Sequence, residues 1–256
     1  MKYLDKLIEL GCFSRGDVVE LTGNEHAAHS LLYDYINAGY IERIRRDLYT
    51  AISLETKQPI ANRFMIATNI AEDACVSFHS AFEYYGYANQ VFYEVYVTTD
   101  SRFSNFTYDG ITYSRVSPRI GSGITTTNTG IRVTDLERTV IDNIYAFEKI
   151  GGLEELLSCL MLVPSLRTDK LLTYLDDYGL ANLYQKTGFI LMQFSEQLGL
   201  PKSFFDNCKS KIPKAKKYLY SERDALSEHF ILHEEWMLFA PANIKSIISK
   251  GVELSD

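Results

Sequence analysis

A chain of 256 residues, 46% of them apolar, is long enough for one large domain or two, each with a real core. Its net charge of −7 argues against holding nucleic acid by bulk positive charge and leaves only local basic patches for that task. Cysteines 12, 75, 159 and 208 are too far apart for paired metal-ligand spacing, and no run approaches the roughly 20 apolar residues of a membrane span. The expectation is a soluble, cytoplasmic protein with free thiols, no signal peptide, no membrane partner, no metal and no cofactor.

Tyr3, Leu4, Leu7 and Ile8 recur at helical spacing, and Gly11 stands where a left-handed C-cap belongs. Ser14 and Asp17 form a capping box for a second short helix carrying Val18, Val19 and Leu21. After Gly23, Asn24 caps a third helix to about Ala38, with Ala28, Leu31, Leu32, Tyr35 and Ile36 as its buried stripe. His26, His29, Ser30, Tyr33 and Asn37 take the opposite face. Residues 40–50 then read as a ribbon with Ile41 and Ile44 inward, turning at Arg46-Asp47. Three helices and a ribbon predict a winged helix-turn-helix over residues 1–58, its third helix fitting the major groove and its ribbon reaching the backbone.

The DNA-contact residues expected there are Asn24, His26, His29, Ser30 and Tyr33 on the helix and Arg43, Arg45 and Arg46 on the ribbon. The module carries seven basic and nine acidic side chains. Binding therefore rests on the field of the clustered arginines and on two copies sharing one DNA, which points to an inverted repeat.

Residues 59–256 read as an α+β domain with an antiparallel sheet and a helical C-terminal part. Helices are predicted at 60–72 and from Ser77 to Tyr85, with Ser77 as cap and Gly86 as stop. Residues 91–98 then alternate as a strand. A hairpin joins 103–108 to 111–116 through Asp109-Gly110, and strands follow at 124–129 and 131–133. The short connections predict an antiparallel meander. Thr134 with Glu137 reads as a capping box for a helix to about Phe147. Helices at 153–162, 169–178, 183–198 and 202–207, strands at 217–220 and 235–239, and a last helix opening at Pro241 complete the reading.

Little in this second part points to catalysis. Asp135, Glu137 and Asp142 lie within eight residues, but capping, the helix dipole and an Arg138–Asp142 pair at i, i+4 account for them. Neither a phosphate-binding loop nor a nucleophile elbow is present. His26 and His29 lack a nearby third ligand. Phe78, Phe82, Tyr84, Tyr85 and Tyr87 read as helix core. Lys209, Lys211, Lys214, Lys216 and Lys217 form a basic stretch that is either a solvated loop or a second contact with nucleic acid or an acidic partner.

Several segments together resemble the AbiEi family, the antitoxins of abortive-infection toxin–antitoxin pairs. Arg46-Asp47-Leu48-Tyr49-Thr50 is similar to that family's wing ending Arg-Gly-x-Tyr, with Asp47 in place of the glycine. Ser77, Ser80-Ala81-Phe82 and Gly86 resemble its Ser-x-x-Ser-Ala-Leu helix. The run from Val133 to Asp142 is similar to its Glu-Arg-Thr-hydrophobic-hydrophobic-Asp signature, and Gly151-Gly152 and Trp236 also fit. The resemblance implies a DNA-binding repressor of its own operon, with a C-terminal domain needed to counteract a nucleotidyltransferase-like toxin without a stable complex. Two rivals stay open: a winged-helix regulator with a ligand-sensing C-terminal domain, and a nuclease or nucleotidyl-modifying enzyme with a DNA-targeting module.

Overall fold

The computed structural model describes residues 2–220, 230–244 and 247. It is a mixed α+β protein whose contacts divide it into two compact units. The first comprises Met1–Val76, Tyr93–Pro118 and Thr126–Val133; the second comprises Ser77–Phe92, Arg119–Thr125 and the chain from Thr134 onward. Residues 1–58 fall within the first unit, and residues 59–256 are shared between the two. Among the described residues no helix is long and apolar enough to cross a membrane.

The first unit opens with α1 (Leu4–Leu10), β1 (Cys12–Ser14), α2 (Arg15–Thr22), α3 (Glu25–Asn37), β2 (Ile41–Arg45) and β3 (Leu48–Ala51). Local chemistry sets these boundaries. Gly11 and Gly23 take positive φ at the ends of α1 and α2. Ser14 and Asp17 complete a reciprocal capping box, and the Asn24 side chain accepts from Ala27 N at 2.8 Å. The strands form an antiparallel sheet in the order β1-β3-β2. Leu7, Phe13, Val18, Ala28, Leu32, Ile41, Tyr49 and Ala51 fill the space beneath it. Ile36, expected in the buried stripe of α3, is instead 39% exposed, because the helix outruns the core at its C-terminal turn.

Ile41 and Ile44 both point inward although they are three residues apart. Strict alternation forbids that, and a register shift between Arg43 and Arg45 resolves it: the bulge adds the residue that returns Ile44 to the core. Asp47, at φ +59°, closes the hairpin in the left-handed region.

Next comes a six-stranded sheet in the order β6-β7-β5-β4-β9-β8, most of whose strands belong to the first unit, flanked by α4 (Arg63–Thr68). Its strands are β4 (Cys75–Val76), β5 (Glu94–Thr98), β6 (Phe106–Tyr108), β7 (Ile111–Val116), β8 (Ile124–Thr126) and β9 (Arg132–Thr134). The hairpin at Asp109-Gly110 forms as expected, both residues taking positive φ. The sheet is mixed, however, not an antiparallel meander. β7 inserts beside β5 in parallel while β6 returns on its outer edge, and β4 pairs in parallel with the distant β9. Short connections exclude parallel pairing only between consecutive strands, and these partners are not consecutive.

The second unit is mainly helical: α5 (His79–Tyr85), α6 (Leu136–Tyr145), α7 (Leu153–Leu162), α8 (Thr168–Tyr178), α9 (Ala181–Met192) and α10 (Lys202–Ser210). A small sheet, in the order β10-β12-β11, combines β10 (Lys217–Tyr218), β11 (Phe230–His233) and β12 (Leu238–Pro241). Pro241 ends a strand, and most of the helix expected after it lies outside the described residues. Two caps differ from expectation. Phe78, at φ +55°, rather than Ser77, precedes α5; Asp135, rather than Thr134, caps α6 by accepting from Arg138 N at 2.9 Å. Glu137 does not complete a box, since its carboxylate accepts from Arg167 N at 2.9 Å.

Arg138 is the polar centre of this unit, 2% exposed. Its Nε donates to Asp142 Oδ1 at 2.6 Å, and its Nη1 donates to the carbonyls of Ile120, at 3.2 Å, and Ser122. Tyr178 Oη donates to the same Asp142 oxygen. A Cβ on Gly123 (φ +76°) would stand 2.8 Å from Arg138 Cβ and from the Tyr174 ring. The Arg-Thr-Val-Ile-Asp run thus clamps the 120–123 loop onto α6.

Candidate nucleic-acid interface

Helical geometry groups residues 26, 29, 30 and 33 on one side of α3. His26, His29, Ser30 and Tyr33 are all exposed there, Tyr33 by 64%. Asn24 is exposed at the head of the same helix, with its side-chain oxygen engaged in capping. Beside it, Arg15 forms an ion pair with Glu25 and offsets an acidic charge at the entrance to the helix. Arg15 escaped sequence reasoning because ten residues separate the partners.

The three ribbon arginines do not behave alike. Arg46 lies at the hairpin tip with its side chain 86% exposed and its Nε 3.4 Å from Asp47 Oδ2. Arg43 is also exposed, its Nε donating to the Arg45 carbonyl at 3.2 Å. Arg45, displaced by the bulge, is half-buried and lays its guanidinium over two rings, 5.3 Å from the Phe103 centroid and 4.9 Å from that of Phe106. Burial lowers its pKa, which marks partial loss of water around the cation.

The lysines of residues 209–217 are likewise divided. Lys209 pairs with Glu235 and lies 5.1 Å from the Trp236 ring. Lys211 pairs with Asp176 and stands 4.9 Å over Tyr184. Lys214, Lys216 and Lys217 are exposed. The carboxylates of the signature run do not converge on an open site: Asp135 meets Lys170 and Tyr174, Glu137 meets Arg167, and Asp142 meets Arg138 and Tyr178.

One group of ligand-type side chains was not anticipated. His79, Glu155 and Cys159 are all buried, and their donor atoms lie within 4.8 Å of one another. Glu155 and Cys159 occupy one face of α7 at i, i+4, a spacing readable in the sequence. His79 lies 76 residues earlier and gave no signal.

No family model and no curated protein matches the chain by sequence. Among solved structures it is similar to the RV2827C protein from Mycobacterium tuberculosis, with a TM-score of 0.63 and 11% identity over 94% of this chain and 89% of that one. At that identity, what the two chains have in common is the fold.

Proposed function

We propose that this chain is a DNA-binding repressor of its own operon and serves as the antitoxin to a nucleotidyltransferase-like toxin, as its resemblance to AbiEi antitoxins implies. In this reading α1–α3 with β1–β3 form a winged helix-turn-helix, α3 enters the major groove, and the β2–β3 hairpin is the wing. The observation that carries it is the exposed row His26, His29, Ser30 and Tyr33 on α3, followed in the chain by a hairpin whose tip presents Arg46. Asp47 adds support, because it takes the left-handed conformation at the position where the resembled wing has glycine.

His29 and Ser30 read base edges, while Arg43 and Arg46 contact phosphates. Arg45 serves chiefly to seat the wing on the Phe103 and Phe106 rings. With seven basic side chains against nine acidic ones in residues 1–58, useful affinity comes from two copies on an inverted repeat. The engaged carboxylates of residues 135–142 favour a regulator over an enzyme.

A footprint of the purified chain on DNA upstream of its own reading frame tests the proposal. Protection of an inverted repeat, with a nucleotidyltransferase-like protein encoded alongside, is the expected result. Binding no tighter than to random DNA of equal length removes the repressor reading.

A further inference from the structure

We propose that His79, Glu155 and Cys159 form a zinc-binding site in the second unit. Two of the three distances match the edges of a coordination tetrahedron. Zinc bonds of about 2.0–2.2 Å to nitrogen and oxygen and about 2.3 Å to sulfur put the N and O ligands about 3.4 Å apart and S and O about 3.5 Å apart. His79 Nε2 lies 3.2 Å from Glu155 Oε1, and Cys159 Sγ lies 3.4 Å from the same oxygen. Two edges are therefore preformed, and the histidine-to-sulfur separation, within 4.8 Å, must close to about 3.5 Å on binding.

The surroundings favour a ligand set over a chance meeting of polar groups. The imidazole is 0% exposed and stacks on Phe92 at 3.8 Å, which fixes the ring plane. Its far nitrogen, Nδ1, stands 3.4 Å from Glu83 Oε1. The two make no hydrogen bond as they stand; turning Nδ1–H toward that carboxylate when Nε2 takes the ion would give the arrangement that orients metal-bound imidazoles and raises their basicity. Glu155 Oε1 also accepts from the backbone N–H groups of Asn89 and Gln90, each at 3.1 Å, so an ion bound to that oxygen displaces one of these bonds.

Charge and softness select the ion. One carboxylate and one thiolate neutralise a divalent cation, and a thiolate with an imidazole favours zinc over magnesium or calcium. Binding converts the Cys159 thiol to a zinc thiolate and releases one proton to solvent. The three side chains leave a fourth position of the tetrahedron for a water molecule. The ion would tie α5, α7 and the 87–92 segment together.

The test uses the full-length, reduced chain, stripped with a chelator and titrated with cobalt(II) and, separately, with zinc. Expected are stoichiometric uptake, a thiolate-to-cobalt charge-transfer band displaced by zinc, and a raised melting temperature with either ion. Cys159→Ser should abolish the band while circular dichroism shows a folded chain, and Cys12→Ala should keep it. Glu83→Gln should keep the band with affinity weakened about tenfold or more. A folded wild-type chain that takes up neither ion overturns the proposal, as does a charge-transfer band that survives in Cys159→Ser.

Discussion

Replacing Arg138 by leucine should destabilise the second unit severely, and the structure sets the size of the effect. The guanidinium is 2% exposed and its partner Asp142 is 0% exposed, so neither group can turn to water. Leucine leaves the Asp142 carboxylate buried with Tyr178 as its remaining donor and strips the Ile120 and Ser122 carbonyls of theirs. Removing one partner of a buried ion pair costs about 3–5 kcal/mol. At ~2–4 °C per kcal/mol for chains near this size, melting should fall by roughly 6–20 °C. Arg138→Leu combined with Asp142→Leu removes the orphaned charge and should recover part of the loss, giving a non-additive cycle. Urea and thermal unfolding followed by circular dichroism measure all four species. An Arg138→Leu chain within about 1 kcal/mol of wild type, or strictly additive losses, would refute the clamp.

Three further outcomes follow from other contacts. Gly188→Ala should unfold or severely destabilise the chain, because a Cβ there would lie 2.2 Å from the Trp236 ring; a melting temperature within 2 °C of wild type contradicts this. Burial opposes ionisation of Asp73, but hydrogen bonds from Thr99, the Asp100 amide and Ser101 outweigh it and hold the carboxyl at about 2 instead of 3.8. A depressed carboxyl stabilises the fold above its unfolded pKa and loses that contribution as pH falls through the folded one. Asp73→Asn should therefore show less loss of stability than wild type between pH 3.8 and about 2, and identical acid profiles would count against the assignment. Arg45→Ala should lower stability by removing the contact with Phe103 and Phe106, whereas Arg46→Ala should leave it unchanged; equal melting temperatures for both variants would show that Arg45 is not a packing residue.

What sequence reasoning reached, and what it missed, divides along the range of the interactions. Caps such as Ser14 with Asp17, or Asn24 with the amide of Ala27, are settled within three residues, and the pattern shows them directly. The cap of α5 could not be read this way, because Phe78 adopts a positive φ that no side-chain preference announces. At α6 two adjacent oxygen-bearing residues competed. Asp135 takes the cap, while Thr134 hydrogen-bonds to Thr139 Oγ1 at 2.8 Å. Arg45 looked like its neighbours until a bulge and two rings about 60 residues away gave it another environment. The parallel pairings of β4 with β9 and of β5 with β7 are likewise long-range, and so is the approach of His79 to α7. The α3 row was legible because it depends only on helical period and on which side is apolar.

The central proposal, that α3 and the hairpin bind DNA, is tested most directly by comparing two variants on one operator over a range of salt. Arg46→Ala should weaken operator and random DNA alike and flatten the slope of log affinity against log salt by about one unit per chain. His29→Ala with Ser30→Ala should leave that slope unchanged and reduce discrimination between operator and random DNA by about 1–3 kcal/mol per lost base contact. Both sites are exposed, so both proteins should melt with the wild type. Folded variants that keep wild-type affinity, salt slope and discrimination would contradict the account.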